Sequence, residues 1–127
     1  MSDKSVAEKL LIKSADKVLI VNAPEGYEKI LTDLPPGVKI LEKLGKNIDL
    51  IQLFVNTLAE LESELPAIKP LLKPAGILWL SYPKKTSKIK ADINRDSINT
   101  YAKTIGLQGV SIVSIDDTWS ALRLKII

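Results

Sequence analysis

IDLIQLFVNTLAELESELPAIKPLLKPAGILWLS, residues 48–81, reads as a strand, a helix and a second strand, and this unit decides the fold. Ile48 to Val55 is an apolar run interrupted by Asp49 and Gln52 and reads as a strand. Asn56 or Thr57 can cap the element that follows, and Thr57 with Glu60 has the spacing of a capping box. Leu58, Leu61, Leu65, Ile68 and Leu72 then recur at alternating steps of three and four, an amphipathic helical stripe. Glu60, Glu62 and Glu64 stand early and Lys69 and Lys73 late, which complements the helix dipole. Pro66 lacks an amide hydrogen and is expected to kink or split this helix. Pro74-Ala75-Gly76 is expected to turn the chain into a strand over residues 77–81.

Working outward, Lys17 to Val21 (KVLIV) is a short continuous β-branched and aliphatic run, the pattern of a strand covered on both faces, broken by Asn22-Ala23-Pro24. A short helical face over Val6, Leu10 and Ile12 or Lys13 precedes it. Tyr27, Ile30, Leu31 and Leu34 predict a helix stopped by Pro35-Pro36-Gly37, and Val38 to Leu41 reads as another strand. Downstream, Ile98, Tyr101, Ala102 and Ile105 form a helical face closed by Gly106 as a C′ glycine. Two strands follow, Val110 to Ile115 and Thr118 to Ile126, joined tightly at Asp116-Asp117. Alternating strands and helices predict a doubly wound, mostly parallel, Rossmann-like α/β sheet with a C-terminal antiparallel hairpin, one domain over residues 1–127.

Composition narrows the chemistry. The chain has no Cys and no His, which removes disulfides, thiol nucleophiles, the familiar triads and zinc sites built on nitrogen or sulfur; no metal site is expected. Its net charge is +3, and the excess is local. No carboxylate falls between Glu64 and Asp92, where Lys69, Lys73, Lys84, Lys85, Lys88 and Lys90 lie; the remainder is net −3. The first residues carry no apolar run of signal-peptide length and no stretch approaches a membrane span, so a soluble, cytoplasmic protein is expected.

The segment LLKPAGILWLSYP, Leu71 to Pro83, resembles the stretch before and through the fifth strand of Rossmann-like S-adenosylmethionine methyltransferases. Ile48 to Val55 with its helix resembles their fourth strand, and the final hairpin their sixth and seventh. That resemblance implies a cofactor loop rich in glycine after the first strand, because the backbone must approach the ligand closely at a helix N-terminus. Here the loop is Asn22-Ala23-Pro24-Glu25-Gly26, with one glycine and a proline. Glu42 stands where an acid could hold a ribose, or is an ordinary surface glutamate. Tyr82-Pro83-Lys84, Gly106-Leu107 and the run Asp117 to Leu124 also resemble a bacterial family of unknown function numbered 3052, which implies a degenerate methyltransferase-like fold without an assigned activity.

In an open α/β sheet, ligands bind beyond the carboxyl ends of the strands at the switch point. That edge is expected to collect Asn22, Glu25, Gly26, Asn56, Thr57 and Tyr82, with Glu42 nearby, offering amide, hydroxyl and ammonium donors to a carboxylate or phosphate. Lys84, Lys85, Lys88 and Lys90 are anion-binding candidates, each a point charge. Two Arg and one Phe supply base stacking and bidentate readout poorly, so nucleic acid is the weaker partner. Trp119 and Arg123 share one strand face, either an interaction surface or cover for the sheet. No spacing marks a catalytic acid or base. The leading expectation is a non-catalytic binding module, acting on an anionic small molecule, another protein or a second copy as a homodimer, with no cofactor. One alternative is a minimal S-adenosylmethionine-dependent methyltransferase with a diverged loop; another is a weak nucleic-acid or anion binder through the Lys84–Lys90 loop.

Overall fold

The computed structural model describes residues 5–31, 33–41, 45–85 and 92–127. Its elements are α1 (Val6–Lys9), β1 (Lys17–Val21), α2 (Tyr27–Ile30), β2 (Lys39–Leu41), β3 (Ile48–Phe54), α3 (Leu58–Ile68), β4 (Leu72–Pro83), α4 (Arg95–Thr104), β5 (Leu107–Ser114) and β6 (Trp119–Ile126). They form one mixed sheet of order β2-β1-β3-β4-β6-β5. β2, β1, β3 and β4 run parallel; β6 lies antiparallel between β4 and β5.

The continuous apolar runs occupy the middle of this sheet because both faces there are covered. Side chains alternate between two cores. Leu19, Ile51, Leu53, Leu78, Leu80 and Leu122 meet α3 and α4 through Leu61, Leu65, Ile98 and Ala102. Val18, Leu50, Phe54, Trp79 and Ala121 meet α1 and α2 through Val6, Leu10, Tyr27 and Leu31. The Trp79 indole Nε1 donates to the Leu10 carbonyl at 2.8 Å, which fixes the exit of α1 to the sheet.

Several elements differ from expectation for identifiable reasons. The helix over Tyr27 to Leu34 is a single turn, since Asp33 takes φ +57° and two prolines follow, and Leu34 is exposed. Pro66 lies inside α3, which continues to Ile68 before a 3₁₀ turn over Lys69–Leu71. The Glu62 carbonyl, which a residue at position 66 would ordinarily bond, accepts instead from the Tyr101 hydroxyl at 3.3 Å. Pro74-Ala75-Gly76 falls within β4 rather than before it. Ile48 pairs Leu72 and Leu50 pairs Ile77, so β4 accommodates these residues as an irregularity in the ladder. A Cβ on Gly76 would lie 2.6 Å from Leu72 Cδ1 and 3.0 Å from the Lys73 carbonyl oxygen, so a larger residue there would force the Leu72 side chain to shift. β5 starts earlier than expected and bulges between Gly109 and Ser111. Gly106, at φ +80°, ends α4 as the sequence suggests.

At the opposite edge from the strands' carboxyl ends, Asp49 accepts from the Lys17 backbone amide at 2.8 Å and from Lys73 Nζ at 2.7 Å. These bonds, the amide first and the ammonium second, hold the Asp49 carboxyl below its ordinary range. A group with a lowered folded pKa stabilises the fold above its unfolded pKa and loses that contribution as pH falls through the folded value. Asp49→Asn is therefore expected to cost roughly 1 kcal/mol at neutral pH, a figure reduced by solvent screening. In urea titrations the gap from wild type should close as pH drops below the usual carboxylate range.

Candidate functional site

β1 has neighbours on both sides that the chain reaches in opposite directions, so the crevice between the exits of β1 and β3 is the switch point. Asn22 leaves β1 in the left-handed region at φ +59°, which Asn tolerates better than most residues. Its side-chain amide donates to Glu64 on α3. Glu25 is exposed in the loop, and Gly26, at φ +81°, starts α2 without a side-chain cap.

The next residue turns inward. Tyr27 is 2% exposed; its hydroxyl donates to Gln52 Oε1 at 2.6 Å, and Gln52 Nε2 donates to Ser81 Oγ at 3.0 Å. Gln52 and Ser81 belong to adjacent strands, β3 and β4, and are fully buried, so this short relay satisfies every polar group in that part of the core. The Tyr27 ring stands edge-on to Phe54, the last residue of β3, at 4.8 Å, and Phe54 in turn meets Trp119 at 5.1 Å. Burial pushes the Tyr27 phenol well above its ordinary pKa.

The exit of β3 is equally occupied. Glu60 Oε1 accepts from the backbone amides of Asn56 at 2.9 Å and Thr57 at 3.1 Å, while Thr57 Oγ1 accepts from the Glu60 amide at 3.1 Å. Asp92 Oδ1 accepts from the Leu58 amide at 2.7 Å, closing the N-terminus of α3 with a second carboxylate. The side-chain amide of Asn22 and the backbone amides of Asn56, Thr57 and Leu58 thus face carboxylates of the same chain.

Tyr82 does not join this group. It points to the α3–α4 face, while Tyr27 lies on the other. With Lys84, Lys85 and the start of α4 it borders a cleft of about 420 Å³. Lys84 Nζ donates to Ser114 Oγ at 2.6 Å. Glu42, Lys88 and Lys90 lie outside the described residues. Trp119 is buried at 7% exposure against Phe54, so it packs the sheet; Arg123, half-buried, lies beside Trp79 across the β4–β6 ladder. Asp116 accepts from the Thr118 and Trp119 amides, both at 2.8 Å, which is turn chemistry.

Sequence reading did not single out Gln52, Ser81, Glu64, Asp92 or Arg95. Gln52 had a signal, as the polar residue at the centre of an otherwise apolar strand. Ser81, Glu64 and Asp92 act across long sequence separations and had none.

No protein-family model matches this chain, so the resemblance to the family numbered 3052 gains no support. No curated protein matches it either. Solved structures do. DhpI in complex with SAH superposes with a TM-score of 0.66 at 9% identity, over 96% of this chain and 82% of that one. A SAM dependent methyltransferase from Aquifex aeolicus gives 0.63 at 14%, over 96% and 88%. A TehB-like SAM-dependent methyltransferase from Corynebacterium glutamicum gives 0.63 at 14%, over 99% and 90%. At such identities the likeness is one of architecture: the chain has a methyltransferase-like α/β fold with a mixed sheet of six strands.

Proposed function

We propose that this chain is a non-catalytic binding module built on the methyltransferase-like fold. The observation that supports it best is the self-satisfaction of the switch point. Glu64 holds Asn22, Glu60 holds the amides of Asn56 and Thr57, Asp92 holds that of Leu58, and Tyr27 fills the space below. The donors of Asn22, Asn56, Thr57 and Leu58 that the carboxylate of S-adenosylmethionine would use are already taken by these three acids. The acid–base inventory agrees. Tyr27 and Tyr82 are both pushed toward staying protonated by burial, the wrong direction for a base. The module binds its ligand, an anion, another protein or a second copy, without transforming it.

The second reading, a minimal methyltransferase, draws on the shared fold and on neighbours solved with SAH or SAM bound. A thermal-shift and calorimetric titration with S-adenosylmethionine and S-adenosylhomocysteine separates the two. A ligand at about 100 times its Kd stabilises a protein by ~2.7 kcal/mol, a rise of several degrees in Tm for a domain of this size. We expect no saturable rise with either compound. A saturable rise would overturn the non-catalytic reading in favour of the second.

A further inference from the structure

We infer that the cleft between the end of β4, the start of α4 and the β5–β6 hairpin is a binding site for a small organic anion, a phosphate or carboxylate joined to an apolar body. It lies on the face opposite Tyr27 and is independent of what the switch point binds.

Its chemistry is divided between two walls. Among the described residues, Lys84, Lys85 and Arg95 bring three cations to the cleft against one carboxylate, Asp96. The Arg95 Nε to Asp96 Oδ1 distance is 3.8 Å between two well-exposed side chains, so that pair leaves the guanidinium available. Asn94 caps α4 by accepting from the Ser97 amide at 2.9 Å. The amides of Arg95 and Asp96, at the positive end of a ten-residue helix, find no acceptor among the described residues. Ile93 and Ile112 supply the apolar wall, and Ile112 is 44% exposed.

Tyr82 adds a polar group to the cleft wall. Its side chain is 7% exposed, yet its hydroxyl has no hydrogen-bond partner among the described residues and is not sealed from solvent. A phenol in a core wall normally finds a partner. This one borders the cleft, close enough to Arg95 and Asp96 to feel both charges. A ligand oxygen held by Arg95 and the α4 amides would take the place of the water that now reaches the phenol.

The probe is phenyl phosphate, titrated into the ¹⁵N-labelled full chain and followed by amide shifts, with inorganic phosphate, benzyl alcohol and a mixed-sequence oligonucleotide as separate arms. Phenyl phosphate is expected to shift the amides of Arg95, Asp96 and Ser120 along one saturating curve. Inorganic phosphate should bind more weakly because it leaves Ile93 and Ile112 uncovered, and benzyl alcohol should not saturate. Arg95→Gln should weaken phenyl phosphate about tenfold, the loss of one charge-assisted bond. Tyr82→Phe should weaken it severalfold while leaving Tm unchanged, because the hydroxyl has no partner to lose. Absence of saturation by about 10 mM, beyond which any affinity is negligible, would overturn the proposal. So would shifts spread over all surface lysines, affinity unaltered by Arg95→Gln, or saturation by the oligonucleotide alone.

Discussion

Trp79→Ala is expected to lower the unfolding free energy by about 3–5 kcal/mol, the range for deleting a large buried aromatic ring. Trp79 is 1% exposed in the central strand β4, and no neighbouring element can collapse into the vacated volume, since β3 and β6 flank it in register. The indole also anchors α1, a four-residue helix too short to persist unaided. Urea unfolding at unchanged m-value measures the cost. Trp79→Phe separates the two roles. It keeps most of the packing but strands the Leu10 carbonyl, at about 1–3 kcal/mol, and amide exchange in α1 should accelerate first.

Tyr27→Ala is the second large effect, also about 3–5 kcal/mol, because the ring is buried against Phe54 and its hydroxyl satisfies Gln52. Tyr27→Phe keeps the ring and leaves the Gln52 carbonyl oxygen without its donor, at about 1–3 kcal/mol. Neither change alters the carboxylates of Glu64, Glu60 and Asp92, so neither variant should acquire saturable S-adenosylmethionine binding. If Tyr27→Ala did acquire it, the phenol alone would be closing the crevice and the three acids would be irrelevant to it.

How much of this was legible depends on distance along the chain. Lys17–Val21 is a strand to the residue, because coverage on both faces is written as continuous apolar composition. The Thr57–Glu60 capping box is equally plain, since its partners are three residues apart. The stripe at Tyr27, Ile30, Leu31 and Leu34 misleads: periodicity asks for two turns, and the left-handed Asp33 with Pro35-Pro36 permits one. Pro74-Ala75-Gly76 carries every turn signal yet sits in a strand. The β3 ladder skips those residues, so Pro74 is not asked for an amide there. At the candidate site the expected donors are present, but their occupants come from far away. Asn22 meets Glu64 and Leu58 meets Asp92, pairings that only the folded chain creates.

The placement of β6 between β4 and β5 governs the order in which this sheet can be completed during synthesis. β6 follows the other five strands of this sheet in the chain, yet it is an interior one, bonded along both edges. A nascent chain that has emerged only as far as Ile115 presents β4 with an open edge and β5 with no partner in the sheet. Ribosome-bound chains stalled before Trp119 should therefore be protease-sensitive and recruit chaperones, and protection should arrive in one step once β6 clears the exit tunnel.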